Sequence, residues 1–145
     1  MYIPKYFKLQ EMFPRDYYKE VYPQLGDMMW ILIDNRILFT ADMLRERYGT
    51  MVVNDWLWRT DNANNYRGFR PHNCTVGAVF SQHRFGRALD CKFKNVEAEE
   101  VRLDIRSNDK YAFKYITAIE LDVTWLHIDC RNHDKKKLGV KLIHP

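Results

Sequence analysis

Ser81-Gln82-His83-Arg84-Phe85-Gly86-Arg87-Ala88-Leu89-Asp90 is the stretch on which the reading of this chain turns. Gly86 lets the chain change direction sharply after His83, because glycine carries no steric penalty at positive φ. From Ala88 the residues alternate, with Ala88, Asp90 and Lys92 on one side and Leu89, Cys91 and Phe93 on the other. That is the pattern of a half-buried strand whose polar face carries Asp90. Downstream, Trp125-Leu126-His127-Ile128-Asp129 alternates likewise: Trp125, His127, Asp129 and Arg131 share one face, and Leu126, Ile128 and Cys130 the other. Two neighbouring strands can therefore present Asp90 and His127 to one cavity, with His83 returning from the preceding loop.

These segments bring together two imidazoles and a carboxylate, with one further acid, Glu120, shortly before the second imidazole. Catalytic zinc takes three protein ligands and keeps a fourth position for water. A nearby carboxylate that is not a ligand can take the proton of that water. A single histidine beside an apolar run is ordinarily a hydrogen-bonded structural residue, and the His83–Asp90 spacing alone also fits one helix face. The combination reads as a zinc hydrolase.

Ser-x-His-x-x-Gly-x-Ala-x-Asp followed by Trp-x-His resembles the zinc D-Ala-D-Ala carboxypeptidases and the phage L-alanyl-D-glutamate endopeptidases, whose fold the hedgehog signalling domain shares. The resemblance runs from Tyr6-Phe7-Lys8-Leu9-Gln10-Glu11 to Arg131. It implies His83, Asp90 and His127 as ligands of one Zn2+ per chain, and Glu120 as general base, with Asp122 as the neighbouring alternative. It also implies that Arg70, in Arg67-Gly68-Phe69-Arg70-Pro71, holds the scissile carbonyl or a substrate carboxylate, a task suited to a guanidinium fork. Arg67 is close enough in sequence to compete for that role. Ser81 matches a serine that touches the peptide substrate, and it can equally be a loop-capping hydroxyl. The implied activity is hydrolysis of an amide bond in the stem peptide or cross-link of peptidoglycan, as in a phage endolysin or virion-associated lysin. A zinc-stabilised binding module, or a virion structural module of the same fold, is the alternative.

A chain of 145 residues, with 46% hydrophobic and 14% aromatic residues, is read as a single domain, 1–145, with a real core. The longest apolar run, Met28 to Ile33, is far shorter than the ~20 residues of a membrane span. Lys5, Lys8, Glu11, Arg15 and Asp16 interrupt the N-terminus, unlike a secretory signal. The expectation is therefore synthesis in the cytoplasm, with the wall reached through a holin, a virion or lysis. Cys74, Cys91 and Cys130 show no Cys-x-x-Cys spacing. Cys91 and Cys130 read as small buried hydrophobes, close enough across adjacent strands for a bond, and Cys74 as a free thiol. Three free thiols suit a reducing compartment. The net charge of +4 is modest, and Lys135-Lys136-Lys137 lacks the interleaved aromatics of a nucleic-acid site, so no nucleic-acid partner is expected. A monomer is expected, with no role for His72, His133 or His144.

The expected order is α+β: a small antiparallel sheet with flanking helices. Leu9 to Phe13 reads as a helical turn ended by Pro14, and Asp27 to Leu38 as an apolar helix. Thr40 then reads as the N-cap of a second helix to Tyr48, stopped by Gly49. Met51 to Leu57 reads as a strand, and Thr60 to Asn65 as a loop beside the site. Asn95 can cap a helix through Arg106, with Ala98, Val101, Arg102 and Ile105 on one face, before a turn at Ser107-Asn108-Asp109. Ala112 to Glu120 leads into the site and Trp125 to Arg131 completes a hairpin.

Overall fold

A computed structural model describes residues 1–108 and 112–144. The chain is α+β. Helices α1 (Leu9–Met12), α2 (Arg15–Leu25) and α3 (Asn35–Tyr48) precede strands β1 (Met51–Val52) and β2 (Ala88–Phe93). Helix α4 (Ala98–Ser107), strands β3 (Ala118–Glu120) and β4 (Leu126–Asp129), helix α5 (Lys135–Leu138) and strand β5 (Lys141–Ile143) follow. The sheet order is β1-β2-β4-β3-β5. Its inner pairs are antiparallel, but β5 lies parallel to β3, so the sheet is mixed and not the antiparallel sheet expected. A three-residue edge strand beyond a basic helix leaves too little periodicity to be read in advance.

Both strands expected to carry the site form with the expected faces. Leu89 and Cys91 of β2, and Leu126 and Ile128 of β4 with Cys130 just beyond it, are fully buried in one core cluster with Phe13, Leu44 and Ile105. Cys91 and Cys130 remain free thiols inside that core, and Cys74 is free and half-buried. Helix α4 buries the anticipated face of Ala98, Val101, Arg102 and Ile105, although Glu97, not Asn95, stands at its N-cap. The turn expected after it falls partly on Asp109, outside the described residues. The lysine run forms α5, capped by the Asp134 carboxylate, which accepts from the Lys137 amide.

The N-terminal helices depart from expectation. In place of one helix from Asp27 to Leu38, a 3-10 segment spans Gly26–Leu32 and stops at Ile33. Asp34 then caps α3: its carboxylate accepts from the Arg36 amide and pairs with the Arg36 guanidinium, while its own amide donates to the Gly86 carbonyl. Thr40 is therefore not a cap. It is buried inside α3, its hydroxyl donating to the Arg36 carbonyl one turn back. Helix α2 was not anticipated, since Pro23 reads as a breaker and no residue of the helix is fully buried. Its tyrosines hold it instead: Tyr17 packs on Phe13 and Phe69, and Tyr18 on Trp56.

The strand expected over Met51 to Leu57 ends after Val52, because the next backbone groups pair elsewhere. The Asn54 amide donates to the Glu11 carbonyl and the Asp55 amide to the Asn64 carbonyl. The loop of residues 60–65 is tied to Asp55 through Asn64, and it does not line the cavity described next.

Candidate metal centre

Gln82–Phe85 forms one turn of 3-10 helix that ends at Gly86, left-handed at φ 65°. A Cβ at Gly86 would run into the Leu32 carbonyl, so the position needs glycine for its conformation and for its space. The turn drops His83 into the interior at 2% exposure. There its Nδ1–H donates to the Gly68 carbonyl at 2.7 Å, which leaves Nε2 as the free ring nitrogen. Gly68 is itself pressed on the Met12 backbone, and the Phe69 amide donates to the Met12 carbonyl. The segment 67–70 is thus a fixed shelf. Its Arg67 carbonyl accepts from the Asp90 amide at 2.7 Å, and its Arg70 amide donates to the His83 carbonyl.

Strand pairing does the rest. Asp90 of β2 sits directly across from His127 of β4, and such a cross-strand pair brings the two side chains onto one face. Asp90 Oδ1 lies 2.7 Å from His127 Nδ1, and Oδ2 lies 3.3 Å from His83 Nε2. One possible donor atom from each of the three residues falls within 4.8 Å of the others, so the group could hold a metal ion. All three side chains are buried.

Asp129 makes contacts at the group that sequence reasoning did not anticipate. It is wholly buried, 3.3 Å from His127 Nε2, and it takes a forked ion pair from Arg131. Metal-ligating histidines characteristically donate their second nitrogen to a carboxylate or a backbone carbonyl. Here Asp129 serves His127 and Gly68 serves His83. The signal was present in the alternation, since Asp129 lies two residues after His127 on the same strand face.

The electrostatics match a cation site. Burial pushes His83 down, towards the neutral form that can ligate. Burial would raise Asp90, but His83 and the hydrogen bond to His127 outweigh it and hold the carboxyl well below the usual carboxylate range. At His127 burial opposes the charge, yet hydrogen bonds to Asp129 and Asp90 win and push it up to about 9. The two carboxylates thus favour positive charge on His127, Asp129 from the Nε2 side and Asp90 from the Nδ1 side, and a dication held by the three side chains would supply that charge in place of a proton. The residues fit a metal.

The cluster opens onto a cavity of about 510 Å³. Glu120, at the end of β3 and half-buried, lines it, as do Arg70, Ser81, Trp125 and Arg131. Arg67 and Asp122 do not. Asp122 is exposed, held at φ 60° with its carboxylate 2.8 Å from His144 Nδ1. Ser81 stands at the start of the His83 turn without a side-chain capping bond. Arg70 donates from Nε to the Tyr66 carbonyl and from Nη2 to Asp90 Oδ2 at 3.0 Å. Behind the wall, buried Arg102 of α4 donates to the carbonyls of Glu120, Val123 and Trp125, and so fixes the β3–β4 connection that carries Glu120. Sequence reading placed Arg102 on the buried helix face without seeing what it holds.

Compared with protein-family models, with curated proteins and with solved structures, the chain finds no match.

Proposed function

We propose that this chain is a zinc-dependent peptidase that hydrolyses an amide bond in the stem peptide or cross-link of peptidoglycan. The observation that carries the reading is the buried His83–Asp90–His127 group, with both imidazoles held from behind, opening onto a cavity that contains Glu120 and Arg70. Two imidazoles and one carboxylate are donors that zinc accepts at catalytic sites, and bound zinc supplies Lewis acidity to an attacking water and a substrate carbonyl. The substrate class rests on the motif resemblance, and the reaction type on the site.

In this mechanism Glu120 takes the proton of the attacking water and delivers it to the leaving amine nitrogen. Arg70 places positive charge beside the oxygen of the tetrahedral intermediate, and its bonds to Tyr66 and Asp90 hold the guanidinium ready for that work. The imidazoles keep their orientation through Gly68 and Asp129, so no reorganisation is needed as charge develops.

The test pairs Glu120→Gln with Asp122→Asn. Glu120→Gln is expected to keep metal content and thermal stability while wall hydrolysis falls by ~10²–10⁴-fold. Asp122→Asn is expected to stay near wild type. The reverse order of effects would move the base to Asp122. Full metal retention by a wild-type protein inert on walls of several chemistries would favour a non-catalytic module in which the metal only staples the fold. Metal analysis fixes the ion, since two histidines and a carboxylate also serve iron(II).

A further inference from the structure

The segment between Arg70 and His83 carries a feature the mechanism does not use. Val76, Val79 and Phe80 are all exposed, Phe80 at 81% and Val79 at 69%. Leaving large apolar side chains in water forgoes the gain of burial, and a run of them ordinarily marks a surface that something covers. The segment is nevertheless firmly tied. Arg84 donates to the carbonyls of His72 and Cys74, the Cys74 amide donates to the Pro71 carbonyl, and the Ser81 amide closes a turn on the Ala78 carbonyl.

It is also registered on the metal centre. Gly77 is left-handed at φ 78°, and Arg70 Nη1 occupies the place where its Cβ would stand. The same guanidinium reaches Asp90. Gly77, Arg70 and Asp90 therefore form one physical chain from the loop to the cluster. Val76 and Phe80 line the cavity of the cluster together with Trp125 and Ile143, whereas Val79 does not. The cavity thus combines an apolar wall with the ionic groups Arg70, Glu120 and Arg131.

We propose that Val76 and Phe80 form the specificity-determining wall of this site, which receives an aliphatic side group of the substrate peptide next to the amide that is cut. The inference rests on the peptidase reading and adds the side-chain chemistry the site selects. Covering Phe80 with such a group removes apolar surface from water in the bound state and in the transition state alike, so the wall acts on KM and leaves kcat unchanged.

The experiment uses the full zinc-loaded chain with a synthetic stem pentapeptide, L-Ala-γ-D-Glu-L-Lys-D-Ala-D-Ala. Binding is read by titration calorimetry in a Glu120→Gln background, and hydrolysis by product chromatography with Glu120 intact. Phe80→Ser is expected to weaken binding and raise KM by about tenfold, with kcat, zinc content and Tm unchanged. Val79→Ser, at a residue also exposed but outside the cavity, is expected to match wild type throughout. Hydrolysis by wild type with the same KM in Phe80→Ser overturns the wall and leaves the peptidase reading standing. Binding that Phe80→Ser weakens, in a protein whose Glu120 form does not cut this peptide, upholds the wall and ends stem-peptide cleavage. No binding and no hydrolysis by wild type overturns the wall and stem-peptide cleavage together.

Discussion

At the scale of single residues, the candidate metal centre depends on groups outside the His83–Asp90–His127 trio. Asp129 is wholly buried and lies between His127 Nε2 and the Arg131 fork. Asp129→Asn keeps the shape but loses the charge that orients and polarises the ring, so metal affinity is expected to drop by about 10–100-fold, measured by competition with a chelator. Affinity equal to wild type would remove Asp129 from the centre. A second prediction concerns thiols. Burial pushes the Cys130 thiol up to about 12 and Cys91 higher still, so both stay protonated and inert in the folded chain. An aromatic disulfide reagent is expected to titrate only Cys74 until denaturant is added; two fast thiols would contradict this core. The grouping of His83, Asp90 and His127 was legible in the sequence because a turn glycine and period-two alternation both have local causes. Resemblance alone favours Arg70 over Arg67; the fold uses the Arg67 carbonyl to hold the Asp90 amide and lines the cavity with Arg70 and not Arg67.

At the scale of elements, two devices hold the frame. Asp34 caps α3, and its bond to Arg36 outweighs burial and keeps its carboxyl below the usual range. Asp34→Ala is expected to cost about 1 kcal/mol at neutral pH. Because the folded value is depressed, that contribution is fully present above the unfolded pKa of ~3.9 and is lost as pH falls through the folded value. Denaturant unfolding of the two proteins should therefore converge in acid; a gap that widens below pH 4 would assign the effect elsewhere. Arg102 is the other device, since it joins α4 to three carbonyls of the β3–β4 connection. Arg102→Leu leaves those carbonyls without their donor and is expected to destabilise on the order of 3 kcal/mol, with loss of the hydrolysis proposed to depend on Glu120. Unchanged stability would mean that water replaces the guanidinium. The strands and the α4 face were readable because their apolar periodicity is local. Helix α2 and the Asp34 cap were not, since tyrosine packing across the chain and the Gly86 carbonyl decide them.

At the scale of the whole molecule, one sheet carries Asp90 and His127, a tight turn seated on the 67–70 shelf carries His83, and the core lies on the other face of β2 and β4. Among the described residues no helix is long and apolar enough to cross a membrane. The α+β class followed from the order of patterns, whereas the parallel β5 edge is a long-range pairing with no local mark. Because the three candidate ligands are buried and come from separate parts of the chain, metal binding at this group would be linked to folding. The direct measurement is zinc content and Tm for wild type and His83→Ala, each purified from zinc-rich medium and then dialysed against chelator. The expected result is one zinc per wild-type chain, a Tm that falls on chelation, and a His83→Ala protein that holds little zinc and does not respond to chelator. Equal and negligible zinc in both proteins, with Tm values indifferent to chelation, would contradict the metal centre.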